Sequence, residues 1–231
     1  MAYKKRLDGR KFDQMRDIDI KLGVVANADG SAQFSMGRTK IIAAVYGPKT
    51  LHPQRLREAD KGIIRAYYRM LPFSVSERKT PRPGRREIEL SMVIKEALEE
   101  SVFLEEFGQA VIDVHIYVVQ ADAGSRCASI CAATLALADA GIPMKDFVAS
   151  VSAGVVDGEV VLDLNYQEEA YEDGDVVDMP IAYVENLNKV TLLQLDGKAT
   201  EKQAIDALKL GIEGCKIIKG KMQNALKQKF A

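Results

Sequence analysis

Residues 111–120, VIDVHIYVVQ, place Val111, Asp113, His115 and Tyr117 on one face and Ile112, Val114, Ile116 and Val118 on the other. A period of two predicts a strand. Ala121-Asp122-Ala123-Gly124 breaks the run with small, turn-forming residues. From Cys127 to Ala140 nearly every residue is small or apolar, and a helix apolar on all sides is a buried one. Ser125 is placed to cap it. Upstream, strands are expected over residues 18–25, 31–36 and 39–46, with a hairpin turn at Asp29-Gly30 and a stop at Gly47-Pro48. Another strand is expected over residues 63–73. Leu90, Val93, Ile94, Ala97, Leu98 and Val102 recur at helical spacing and predict a helix over residues 86–103. Downstream of Gly141-Ile142-Pro143, strands are expected at residues 147–156, 159–164, 179–184 and 190–195. A long last helix follows, capped by Thr200, with Ile205, Leu208, Ile212, Cys215, Met222 and Leu226 as its apolar stripe. Strands and helices thus interleave in an α/β (α+β) chain. No internal repeat or flexible linker divides it, so one domain over residues 1–231 is expected.

Composition narrows the function classes. A chain of 231 residues can bury a sizeable core. Its formal net charge is -1, so a nucleic-acid signal has to be local. Cys127, Cys131 and Cys215 are the only cysteines. That low, odd count points to a reducing, cytoplasmic setting with no disulfide framework. No leader and no membrane-length apolar run is expected, which argues against a membrane partner.

Three charged stretches carry the candidate chemistry. SERKTPRPGRR, residues 76–86, sets Arg78, Lys79, Arg82, Arg85 and Arg86 against Glu77 alone. Arg85 and Arg86 fall at a helix start, the end the helix dipole disfavours for cations, and so point to a ligand. Gly124-Ser125-Arg126 stands where a strand gives way to a buried helix. The free N–H groups there bind anions, and Arg126 can grip two phosphate oxygens. NYQEEAYEDGDVVDMP is an acidic loop ending at Asp178. The only histidines, His52 and His115, sit in a loop and in a strand. No Ser-His-Asp set can be assembled from them. Chemistry in which phosphate or water attacks fits better, with a carboxylate as proton donor or magnesium ligand. Residues 1–17 read as a solvated charged arm.

QADAGSRCASICAATLALADAGIP resembles the phosphate-binding turn and helix of the RNase PH family. PRPGRREIELSMVIKEALE, LDLN, DMPIAYVENLNKVTLLQLDGKAT and RLDGRKFDQMRDI are similar to the catalytic RNase PH-like subunits of archaeal exosomes. The resemblance covers nearly the whole chain. It implies duplicated βαβ-type halves with mixed sheets flanked by helices. It also implies phosphorolysis: inorganic phosphate as co-substrate attacks the last phosphodiester of an RNA 3′ end and releases a nucleoside diphosphate, with 3′ tailing as the reverse reaction. Gly124, Ser125, Arg126 and Arg86 match the family's phosphate ligands, and Arg85 with Arg86 its grip on RNA. Asp178 matches a catalytic or metal-holding carboxylate, with Mg²⁺ or Mn²⁺ as the metal. A second acid is expected from the loop, where Glu169, Glu172 and Asp173 are the candidates. Glu172 holds the family's spacing in a loop that is somewhat longer here. The expected partners are a related inactive subunit, alternating in a heterohexameric ring, and RNA-binding cap proteins. RNA would pass a basic, aromatic neck at Arg65, Tyr68 and Arg69. The alternatives are a homohexameric RNase PH trimming tRNA 3′ ends and a non-catalytic RNA-binding ring subunit. The stretch after Arg85 argues against the first, and Arg126 together with Asp178 against the second.

Overall fold

The computed structural model describes residue 3 and residues 5–230. Two sheets organise it. Five strands, β1 (Ile18–Leu22), β2 (Gly30–Met36), β3 (Thr39–Thr50), β4 (Ile63–Met70) and β5 (Ala110–Gln120), pair in the order β1-β2-β3-β5-β4. Helix α1 (Arg85–Glu99) crosses between β4 and β5, which run parallel, while the other pairs are antiparallel. β6 (Val148–Val156), β7 (Glu159–Leu162), β8 (Val176–Val184) and β9 (Lys189–Leu193) form a second sheet in the order β7-β6-β8-β9. It is antiparallel throughout: β6–β7 and β8–β9 are hairpins with connections too short for a crossover, and the longer β7–β8 connection, which carries α3 (Tyr166–Glu169), returns β8 alongside β6. The mixed sheet is therefore the first one.

Helix α2 (Ser125–Asp139) packs on strands of both sheets, which explains why all its faces are apolar. One buried cluster joins the two halves through it. The long α4 (Glu201–Phe230) lies on β6, β7, β8 and β1. Its buried side is built from Ala207, Gly211, Gly214, Cys215, Ile218 and Met222, while Ile205 is exposed. Cys215 and Met222 of the expected stripe are buried and Leu208 and Ile212 pack against the core, while the small residues Ala207, Gly211 and Gly214 are added where the helix lies closest to the sheet. A Cβ on Gly211 would stand 2.3 Å from Ile181 Cδ1.

Two further expectations change. Gly47-Pro48 does not stop the third strand. β3 continues to Thr50, and the pair is absorbed as a register shift against β5 between Tyr46 and Lys49. The charged amino-terminal stretch is not a solvated arm. Residues 1, 2 and 4 lie outside the described residues, but Tyr3, Arg6 and Arg16 are buried against the second half. Arg6 donates from Nε to Glu168 Oε1 at 2.7 Å and from Nη2 to Oε2 at 2.6 Å. Arg16 grips Asp163 through Nε at 2.9 Å and Nη2 at 2.6 Å. A buried cation needs such partners to offset its lost hydration.

Candidate active site

The turn before α2 is left-handed at two positions, Ala123 (φ 59°) and Gly124 (φ 63°). Gly124, not Ser125, is the N-cap, and no side chain caps this helix end. Ser125 opens the helix instead, with its Oγ 2.9 Å from the Tyr68 hydroxyl. The first N–H groups of α2 are left free for an anion. Thr39 Oγ1 pins the turn by donating to Ala123 O at 2.8 Å and accepting from Asp122 N at 2.9 Å.

This turn forms one wall of a cleft of about 800 Å³. Gly124, Ser125, Arg126, Arg86, Glu169 and Asp178 all line it. Arg86 comes from the start of α1. The unfavourable cations at that helix end are offset by Glu87, whose carboxylate accepts from Gly84 N at 2.6 Å and Met70 N at 3.0 Å. Arg126 Nη1 donates to Gln194 Oε1, while its buried Nε has no partner among the described residues. Ser152 Oγ donates to Asp178 Oδ1. The acids reach the cleft from β8 and from α3 (Tyr166–Glu169), a single helical turn inside the stretch expected to be loop.

Both acids resist ionisation. Burial, then the charge of Asp178, push the Glu169 carboxyl up to about 7, against the opposing pull of Arg86, the Gly124 N–H and Arg16. Burial also raises Asp178, against the Ser152 hydrogen bond and the charges of Arg126 and Arg86. A carboxyl near 7 still carries its proton part of the time at neutral pH and can donate it. The cleft holds no activated nucleophile. Cys127 borders it but is wholly buried, which pushes its thiol up to about 12. Neither histidine lines it, and His115 is stacked on Tyr67 with ring centroids 4.8 Å apart.

Several expected residues are not brought to this cleft. Glu172 and Asp173 are exposed and absent from its lining, because the α3 turn directs Glu169 inward and they follow it outward. Arg85 is exposed at the rim. Arg65 and Arg69 lie on β4 outside the cleft. Arg65 is paired with Asp113 at 2.7 Å, and Arg69 donates to Tyr68 O at 2.9 Å. Tyr68 is fully buried and faces Ser125, so it cannot present an aromatic surface to RNA. Conversely, Arg38, Arg78 and Lys79 line the mouth with Phe73 and Tyr166. Arg78 and Lys79 were visible as part of the basic stretch. Arg38 had no local signal. Ser152 and Gln194 could have been noticed as polar residues within otherwise apolar strand segments.

The chain matches the model of the 3′ exoribonuclease family, domain 1, over residues 14–143, and domain 2 over residues 146–214. "Exosome complex component Rrp41" of Pyrococcus furiosus is 53% identical over 226 residues, which is 98% of this chain and 89% of that protein. The proteins of the same name from Pyrobaculum islandicum and Nitrosopumilus maritimus are 51% and 50% identical, over 97% and 98% of this chain and 91% of each of theirs. Among solved structures, rice Rrp46 superposes with a TM-score of 0.83 at 27% identity, over 96% of this chain and 100% of that one. A chain of the Archaeoglobus fulgidus exosome with RNA bound to the active site shares the fold, with a TM-score of 0.79 at 23% identity, over 99% of this chain and 93% of that one.

Proposed function

The chain belongs to the RNase PH family of 3′ exoribonucleases, and from that premise we propose how its residues divide the work. It is a phosphorolytic 3′-to-5′ exoribonuclease subunit of the archaeal exosome type. Inorganic phosphate attacks the phosphorus of the last phosphodiester. The P–O3′ bond breaks, the terminal nucleotide leaves as a diphosphate, and the new 3′ oxygen takes a proton. The reverse reaction adds nucleotides.

The observation that carries the residue roles is the cleft itself, where a free helix N-terminus and two arginines face two carboxyls that resist ionisation. The N–H groups after Gly124, with Ser125, Arg126 and Arg86, hold the attacking phosphate and the scissile one. Asp178 and Glu169 supply the proton to the leaving oxygen. This reading prefers Glu169 to Glu172 and Asp173 as the second acid. Arg38, Arg78 and Lys79 take the RNA backbone at the mouth and Arg85 meets it next, while Arg65 and Arg69, already engaged by Asp113 and Tyr68 O, add only a weaker contact farther along its path.

No cluster of three His, Cys, Asp or Glu side chains able to hold a metal occurs among the described residues. Mg²⁺ is commonly held by one or two carboxylates together with substrate phosphates, and Asp178 fits that part. Bound there, Mg²⁺ or Mn²⁺ would neutralise charge on the leaving oxygen.

Assembly is read from the surface. Ile88 and Met92 on α1, with Leu193 and Leu195 at β9, are exposed next to the cleft. Such a face suits a subunit contact, and we assign it to a related inactive subunit in a heterohexameric ring, topped by RNA-binding cap proteins. Three buried free thiols fit a cytoplasmic setting. Among the described residues no helix is long and apolar enough to cross a membrane.

The test is to incubate the purified complex with 3′-labelled RNA, with and without inorganic phosphate. Labelled nucleoside diphosphate appearing only with phosphate is expected. Monophosphate released equally well without phosphate would overturn the reading. The mass of the complex separates the ring types: two kinds of chain fit the exosome, one kind a homohexameric tRNA-trimming enzyme.

A further inference from the structure

We propose that Arg16 is a positioning residue that sets the distance between the phosphate turn and the corner carrying Glu169. The inference rests on the phosphorolytic reading of the cleft. Arg16 lines no part of that cleft and precedes β1 in the chain. Its Nη1 donates to Asp122 O, two residues before Gly124. The rest of the guanidinium faces the other half. Nε reaches Asp163 Oδ2 at 2.9 Å, Nη2 reaches Asp163 Oδ1 at 2.6 Å, and Nη2 also reaches Leu164 O at 3.3 Å. The backbone N–H of Arg16 adds a bond to Asp163 Oδ2 at 2.8 Å. One planar group therefore bridges the turn of the first half and the β7–α3 corner of the second.

The corner is rigid on its own side. Asp163 is fully buried, sits in the left-handed region at φ 57° and also accepts from Arg10 Nη1 at 3.3 Å. Asn165 and Glu168 cap the α3 turn through mutual bonds of 3.0 Å. Glu169 leaves that turn toward Gly124, and Tyr166 N donates to Asp122 Oδ1 at 3.3 Å. Besides the packing of α2 on both sheets, the phosphate turn and the corner meet directly through Arg16 and the Tyr166–Asp122 hydrogen bond. A cation at this depth gains little net stability over a well-packed apolar side chain. What a guanidinium adds is a flat fork that fixes angle and distance at once, which a lysine cannot reproduce. A hydrophobic substitute would fill the space but leave the phosphate turn and the acid free to drift apart, and a drift of about 1 Å between reacting groups can cost on the order of a hundredfold in rate.

The test compares Arg16→Lys with the parent in the purified complex, well below either melting temperature. Three quantities are read: RNA Kd, kcat and KM for inorganic phosphate, and the rise in Tm that inorganic phosphate produces. RNA Kd should stay within about twofold. The phosphate KM should rise about tenfold or more, kcat should fall by roughly ten- to a hundredfold, and the phosphate-induced Tm rise should disappear. A folded Arg16→Lys with parental kcat, phosphate KM and phosphate-induced Tm rise, but a lower basal Tm, reduces Arg16 to a structural ion pair and overturns the proposal. If Arg16→Lys does not assemble, Asp163→Asn loosens the same fork from its other end under the same criteria. A parent that cleaves without phosphate would refute the phosphorolytic reading alone. The Tm response of parent and variant to phosphate would still decide the role of Arg16.

Discussion

Glu168 and Glu169 are consecutive residues of one short helical turn, and their carboxyls are driven in opposite directions. Glu168 is fully buried and saturated: Arg6 grips both oxygens, the Tyr3 hydroxyl donates to Oε1 at 2.8 Å, and Asn165 N donates to Oε2 at 3.0 Å. Burial pushes its pKa up, but Arg6, the Asn165 N–H and Tyr3 outweigh that, and the net shift is downward. Glu169 is half-buried, has no arginine in hand and sits next to the charge of Asp178, and its carboxyl stands at about 7. The same contrast separates the cations. Arg6 and Arg16 have a carboxylate already in hand. Arg38, Arg78, Lys79 and Arg86 line the cleft and form no ion pair among the described residues. Charge that is satisfied holds the halves together; charge left unsatisfied is available to a substrate.

The sharpest way to break this contrast is at Asp178. Asp178→Asn preserves size and removes the proton-donating group. Single-turnover phosphorolysis should fall by roughly two to four orders of magnitude, with RNA affinity retained or slightly tightened and Tm unchanged or raised. A wild-type cleavage rate would move the chemistry to another acid, with Glu169 first in line.

The ease of reading differed between the two regions for physical reasons. The phosphate turn was legible because its signal is local: an alternating strand, a glycine and a helix apolar on every face. The motif brought Asp178 and Arg86 to positions that line the cleft. It did not say which acid of the loop joins them there, because spacing along an acidic loop does not say which side chain turns inward. Asn165-x-x-Glu168 is a capping-box pattern, and it was the available signal that this stretch makes a helical turn. The buried amino-terminal arginines were illegible for a different reason. Their partners lie 147 and 162 residues away, and no local periodicity announces a long-range ion pair. Gly47-Pro48 was overread as a stop because a bulge keeps a strand going through residues that ordinarily end one.

A smaller effect should distinguish a free cation from an engaged one. Arg86→Gln removes a cleft arginine with no carboxylate partner. RNA affinity should fall by roughly tenfold, and the slope of log affinity against log salt should shrink by about one unit. Arg65→Gln removes a cation already held by Asp113. Lys49 remains 2.6 Å from the same carboxylate, so the stability loss should stay within about 1 kcal/mol and catalysis at the cleft should be unchanged. Equal losses of RNA affinity and equal salt slopes in the two variants would erase the distinction between paired and unpaired cations.

The finest test sets Glu168 against Glu169 by the sign of their pH dependence, measured as Tm in metal-free buffer. The folded state lowers the pKa of Glu168, so its contribution to stability is full above the ordinary glutamate range and is lost as pH falls through the lowered value. Glu168→Gln should therefore be clearly less stable than the parent at pH 7, and the gap should narrow on acidification below about 4. Glu169 has the opposite sign. Its folded carboxyl is raised to about 7, so the protonated form is favoured by folding, and the associated stability is present below the unfolded value and drains away as pH rises through 7. Glu169→Gln mimics the protonated form. It should match the parent near pH 4 and melt a few degrees higher at pH 8, at about 2–4 °C per kcal/mol for a chain of this size, while losing activity. Adding inorganic phosphate should widen the alkaline gap between the two proteins, because an anion beside Glu169 opposes its ionisation, and only the parent must take up a proton before it binds the anion well. Parallel Tm profiles for parent and Glu169→Gln from pH 4 to pH 8 would show that Glu169 is as well satisfied as its neighbour and would remove it from the proton-transfer pair.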